Sequence, residues 1–140
     1  MLAISTAGIL SAQRDEIADK RRALKVGYIT ERLNLTSEEA TKFWPIFNEF
    51  ESEREATRRE SPTYPYDDNL SEKDAELIIK QTVEHKEKEI ALLKKYIERF
   101  KTAIPLKKVA KFLLLEKEFK QDLAEAVKNR SENRRLKRRN

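Results

Sequence analysis

The single histidine of the chain, His85, stands four residues after Gln81 and four before Glu89, so the three share one face of a helix. One imidazole beside one carboxylate is a thin ligand set. Transition-metal sites draw on several nitrogen or sulfur donors, and the chain has no cysteine. His85 is therefore expected to be a solvated residue on a charged helix. The run Asp67-Asp68-Asn69 lacks the spacing and the glycine of a calcium loop and reads as a turn. Carboxylates are plentiful, but among so many Lys and Arg they form i, i+4 helix pairs such as Glu84–Lys88. There is no glycine-rich phosphate loop and no nucleophile beside a base. The expectation is a protein that is not an enzyme and that needs no metal or cofactor.

The remaining chemistry is that of surfaces, and one of them is cationic. Residues 128–140 carry a net charge of +6, so the other 127 residues sum to −1 out of the +5 of the whole. Arg130, Arg134, Arg135, Lys137, Arg138 and Arg139 make a basic tail on a nearly neutral body. Such a tail is suited to weak contact with anionic surfaces, whether lipid headgroups, an acidic partner or acidic clients, and a disordered, solubilising end is the commonest outcome for such a run. The body has no DNA-reading motif, so no sequence-specific nucleic-acid binding is expected.

These groups must be positioned by helices. Charged residues make up 39 % of the 140 residues and there are two glycines, a composition of amphipathic helices rather than strands and turns. The spacing predicts a first helix over about 15–34, with Ile17, Leu24 and Tyr28 on one side. Val26, Ile29 and Leu33 lie nearly opposite, so the helix is expected to sit between two surfaces. Next, Thr36 and Glu39 form a capping box ahead of the stripe Ala40, Phe43, Phe47 and Phe50. Pro45 lies inside that helix and is expected to kink it, bending the aromatic stripe around a neighbour. Two prolines in residues 61–69 end it in a loop.

Ser71 and Asp74 repeat the start signal more weakly. The long third helix that follows has a predicted core stripe of Ala75, Ile79, Val83, Ile90, Leu93, Ile97 and Phe100. Pro105 opens a fourth helix, with Leu106, Val109, Leu113, Leu123 and Val127 expected inward. The fold class is all-α with four helices.

Some apolar residues exceed what these stripes can bury. Phe112 to Leu115 are consecutive and sweep about 300° of a helix at about 100° per residue. Leu114 is then expected on the far side, with Leu115 and Phe119 on one flank. Ile78, Leu92 and Tyr96 form a similar flank beside the third helix's stripe. These six are the candidate client- or partner-binding residues; a broad core or a homodimer interface is the plainer account of them.

The first 13 residues, MLAISTAGILSAQ, are apolar with small residues and a cleavage-like Ser11-Ala12-Gln13, but without a cationic start. They are expected to be the remnant of a truncated signal peptide, or else an unstructured end. The helical domain is expected over 14–128 and the basic tail over 129–140.

The paired Leu-Thr-x-x-Gln-like helix starts (Leu35-Thr36 with Glu39, Leu70-Ser71 with Asp74), the Phe-Trp-Pro segment within Leu33–Glu51 and the Pro-Leu-Lys-Lys-Val-Ala-Lys segment within Ile104–Leu123 resemble the Spy/CpxP family of periplasmic LTxxQ stress proteins. The resemblance covers about residues 14–130. Glu39 stands where the family motif has Gln, and the second start is a looser echo. The resemblance implies an elongated, hairpin-like protomer that pairs into a curved dimer in the periplasm. It implies ATP-independent chaperoning of unfolded proteins, or inhibition of an envelope-stress sensor. A dedicated regulatory subunit of an extracytoplasmic sigma-factor system, linked to metal stress, is the alternative. A cytosolic nucleic-acid-associated protein that uses the tail is a third.

Overall fold

The computed structural model describes residues 6–139, with side chains described over 8–138. Four helices follow in order: α1 Thr6–Leu33, α2 Ser37–Arg59, α3 Glu72–Ala103 and α4 Leu106–Arg139. No strand occurs among the described residues. The fold is all-α. It divides into two units, α1 with α4 and α2 with α3, each packed within itself.

Two of the helix starts are fixed by side chains the sequence singles out. Thr36 is extended, its hydroxyl accepts from the Glu39 amide at 3.2 Å, and its own amide donates to Glu39 Oε2 at 2.9 Å. The box is closed in both directions. Ser71 likewise accepts from the Asp74 amide at 3.1 Å, but its hydroxyl donates to Asp74 Oδ2 at 2.6 Å. Asp is one methylene shorter than Glu, and its carboxylate engages the hydroxyl where Glu39 engages the backbone amide. α2 continues through Pro45 to Arg59. α1 ends at Leu33, and the next residue, Asn34, has a φ of 51°, the left-handed cap conformation that Asn tolerates. The Asn34 carbonyl then accepts from Lys108 Nζ at 2.7 Å.

The α2–α3 unit is an antiparallel hairpin with an aromatic core. Phe43, Phe47, Phe50, Tyr96 and Phe100 are each 2 % exposed or less. Phe43 lies 5.2 Å from Phe100 and Phe50 lies 5.0 Å from Tyr96, centroid to centroid. Two helices meet along one line only, and large rings remove the most apolar area per contact along it. Trp44 sits half-buried at the edge, its ring meeting Phe43 and Phe47 edge-on at 5.0 and 5.3 Å. This stripe matches the expected one.

In the α1–α4 unit, Ile29, Leu33, Val109, Phe112, Leu115 and Phe119 are buried. Lys25 and Glu116 form an ion pair at 3.2 Å with side chains 7 % and 10 % exposed. Tyr28 packs edge-on against Phe119 at 5.5 Å and hydrogen-bonds Asp122 at 3.2 Å, with the Arg32 guanidinium over its ring.

Three expectations need correction. α1 begins at Thr6, not near Asp15. It buries one stripe, not two: Ile17 and Leu24 are each 60 % exposed, while Ile29 and Leu33 are buried. The basic tail is helical, since α4 runs without a break through Arg139. Neither the 13/14 nor the 128/129 boundary coincides with the end of a helix. The part of the expected signal remnant in residues 1–5 lies outside the described residues.

Candidate protein-binding surface

α3 has to choose which of two neighbouring rows of side chains it turns toward α2. The inner row is Ile78, His85, Leu92, Tyr96, Phe100 and Ala103. Of these, His85, Tyr96, Phe100 and Ala103 are buried and Ile78 and Leu92 half-buried. One residue on, about 100° round the helix, runs the outer row of Ile79, Val83, Ile90 and Leu93. These four are 65, 52, 53 and 36 % exposed. Of the stripe expected as core, Phe100 is buried and Ala75 and Ile97 are half-buried, but Ile79, Val83, Ile90 and Leu93 face out, while the row taken for a binding flank faces in.

Part of the physical reason lies in the polar ends of two inner-row residues. The Tyr96 hydroxyl donates to Glu53 Oε1 at 2.7 Å, while Lys95 Nζ reaches both Glu53 oxygens at 2.9 Å. Burial, then the hydrogen bond to Glu53, pushes the Tyr96 phenol up to about 12. The Lys95 and Tyr96 hydrogen bonds hold the Glu53 carboxyl below its ordinary value. Arg99 bonds Glu49, lowering that carboxyl and raising the guanidinium. Both Lys95 and Arg99 lie over the Tyr96 ring, at 5.1 and 5.0 Å.

His85 does similar work further along. It is 9 % exposed, and its Nε2–H donates to the Thr57 carbonyl at 2.8 Å. Thr57 lies in the last turn of α2, where carbonyls have no intrahelical donor. The neighbouring Ala56 and Arg58 carbonyls accept from the Glu60 and Ser61 amides. His85 therefore completes the C-cap of α2 from α3, in contrast to the solvated role expected for it. The four apolar residues of the outer row offer only aliphatic carbon and could satisfy none of these acceptors.

The outer row is spaced 4, 7 and 3 residues apart, and Lys86 fills the interval between Val83 and Ile90. That is the alternation of a coiled-coil seam. Its charged neighbours are paired along the helix, Lys80 with Glu84 at 3.9 Å and Lys86 with Glu89 at 2.6 Å. The row is an apolar strip interrupted by Lys86, which is paired with Glu89, and bordered by balanced charge.

On α4, Leu114 is 62 % exposed, on the far side as expected. Leu113 is half-buried, and Leu106 and Val127 are 67 and 62 % exposed where core positions were expected. Leu115 and Phe119 are core, 5 and 8 % exposed, and are not surface flank. Of the six candidate binding residues, then, only Leu114 is openly accessible, Ile78 and Leu92 are partly so, and Tyr96, Leu115 and Phe119 are buried. Arg130, Arg134, Arg135, Lys137 and Arg138 are exposed; the Arg139 side chain lies outside the described residues.

Among the described residues no group of three or more His, Asp or Glu could hold a metal ion. No helix there is long and apolar enough to cross a membrane. Comparison of the chain with protein-family models, with curated proteins and with solved structures finds no match.

Proposed function

We propose that this chain is a non-enzymatic, nucleotide-independent binding protein that holds apolar segments of other proteins on α3. The observation that carries this is the outer row itself. Ile79, Val83, Ile90 and Leu93 leave aliphatic surface open on a helix whose other side is already packed. Exposed apolar strips rimmed by polar residues are what protein-binding surfaces are made of. Leu114 on α4 offers a second, smaller apolar point. In the envelope setting implied by the Spy/CpxP resemblance, the occupants would be unfolded or stress-damaged exported proteins.

The regular seam spacing favours a second reading of the same row. A coiled-coil alternation fits one helix at a time, so a single helical partner would be matched better than many unfolded ones. That partner would be a signalling protein regulated by this chain, or a second copy in a homodimer.

Breadth of binding separates the two. Equimolar protein is expected to delay aggregation of several unrelated denatured proteins without ATP, and the double variant Ile79→Ser/Ile90→Ser to lose that effect while staying folded. Protection of none of them, with stoichiometric capture of one helical partner, would replace the chaperone reading by the regulator reading. Sedimentation of wild type and double variant reports whether the same row also pairs two copies.

A further inference from the structure

The C-terminal part of α4 is a helix with one cationic half. At about 100° per residue, Lys128, Arg130, Arg134, Arg135, Lys137 and Arg138 fall within about 180° of its circumference. Asn129, Asn133 and Leu136 occupy the other half, with Glu132, the one acid of the segment, at its margin. All of these side chains are exposed. Among the described residues the six cations form no ion pair, whereas cations elsewhere in the chain commonly do. A shallow groove between the side chains is lined by Val127, Arg130, Ser131, Arg134, Arg135 and Arg138. The helix end favours cations through its dipole, which keeps Lys137 and Arg138 compatible with helix up to Arg139.

We infer that this cationic half docks on anionic phospholipid headgroups. A flat anionic surface addresses one side of a helix, and one side is where the charge is. Four of the six cations are Arg, whose planar fork bonds phosphate oxygens in pairs. The segment has no apolar face to insert between acyl chains, since Val127 and Leu136 point to opposite sides. It therefore adsorbs among headgroups by charge alone.

Sequence-specific reading of a nucleic acid would ask for a different helix. Base-reading amides need to stand beside the phosphate-binding cations, yet Asn129 and Asn133 lie on the opposite half. The segment also has no aromatic residue on which a base could stack. The choice of lipid rests on the envelope reading proposed above. Client holding is assigned to α3 and vesicle docking to α4, so either can fail without the other.

The test is co-sedimentation of the purified full chain with phosphatidylcholine vesicles, with and without phosphatidylglycerol. Binding is expected only when phosphatidylglycerol is present and is expected to fall steeply with added salt. The triple variant Arg130→Gln/Arg134→Gln/Arg138→Gln should weaken it on the order of 100-fold. The matching Arg→Lys triple should bind within a few-fold of wild type, and circular dichroism should show unchanged helix content for both. No binding to anionic vesicles at low salt, equal binding to both vesicle types, or an unaffected Gln triple would overturn the proposal. So would release of the chain from anionic vesicles by duplex DNA at equal phosphate concentration, which would assign the face to nucleic acid.

Discussion

The two rows of α3 differ less in hydrophobicity than in what stands at the ends of their side chains. The outer row, Ile79, Val83, Ile90 and Leu93, is aliphatic apart from Lys86 in its middle and stays open. The inner row mixes Ile78 and Leu92 with His85, Tyr96 and Phe100, and it is the row that packs. α2 presents Phe43, Phe47 and Phe50, but also Glu53 and the carbonyls of its last turn. A purely aliphatic row would forgo the bonds to Glu53, whose side chain is 44 % exposed, and to the carbonyl of half-buried Thr57, at about 1 kcal/mol for each. Ring packing and polar pairing together favour the observed orientation. The consequence is functional, because the more apolar row becomes the surface.

The contrast can be broken most forcefully from inside. Phe100 contacts both Phe43 and Phe50 and is 1 % exposed. Phe100→Ala should cost about 3–5 kcal/mol, enough to unfold the α2–α3 hairpin in a denaturant titration. His85→Ala should cost less, about 1–2 kcal/mol, by removing the donor to the Thr57 carbonyl at the end of α2. Amide exchange in residues 54–60 would locate that loss at the cap.

Tyr96→Phe keeps the ring and removes the hydroxyl, so about 1 kcal/mol is expected from the bond to Glu53. Its pH dependence sharpens the assignment. The phenol is raised in the folded protein from 10.0 to about 12, so the neutral form is the stabilised one. Its contribution is fully present below pH 10 and is lost as pH rises from about 10 through 12. Wild type should therefore be more stable than Tyr96→Phe below pH 10, and its advantage should fade across that window. A constant difference over the whole range would show that Glu53 does not hold the phenol.

The sequence made the architecture legible and left the rotation of α3 hidden. Four helices, the closed box at Thr36 and Glu39, the cap at Ser71 and Asp74, and the aromatic stripe of α2 all follow from local patterns. Local patterns suffice there because a cap or a stripe is complete within a few residues. The facing of α3 depends on pairs such as Glu53–Tyr96 and Thr57–His85, which lie 43 and 28 residues apart. A scale that scores Ile above His and Tyr favours the wrong row by construction. The facing of α4 was hidden as well: Leu115 and Phe119 are core while Leu106 and Val127 are exposed. The start of α1 at Thr6 was hidden for a different reason: residues 8–17 are all exposed, so no buried apolar stripe announces its early turns.

The smallest expected effect on stability belongs to the outer row, and it tests the central claim most directly. Ile79→Ser and Ile90→Ser remove exposed aliphatic carbon and should each change stability by no more than about 0.5 kcal/mol. The decisive measurement pairs a denaturant titration of the double variant with its capacity to bind denatured proteins or a helical partner. An unchanged midpoint with binding lost is the predicted result. A midpoint that falls as far as that of Phe100→Ala would place the outer row in the core, and an unchanged midpoint with full binding would remove α3 from the binding surface.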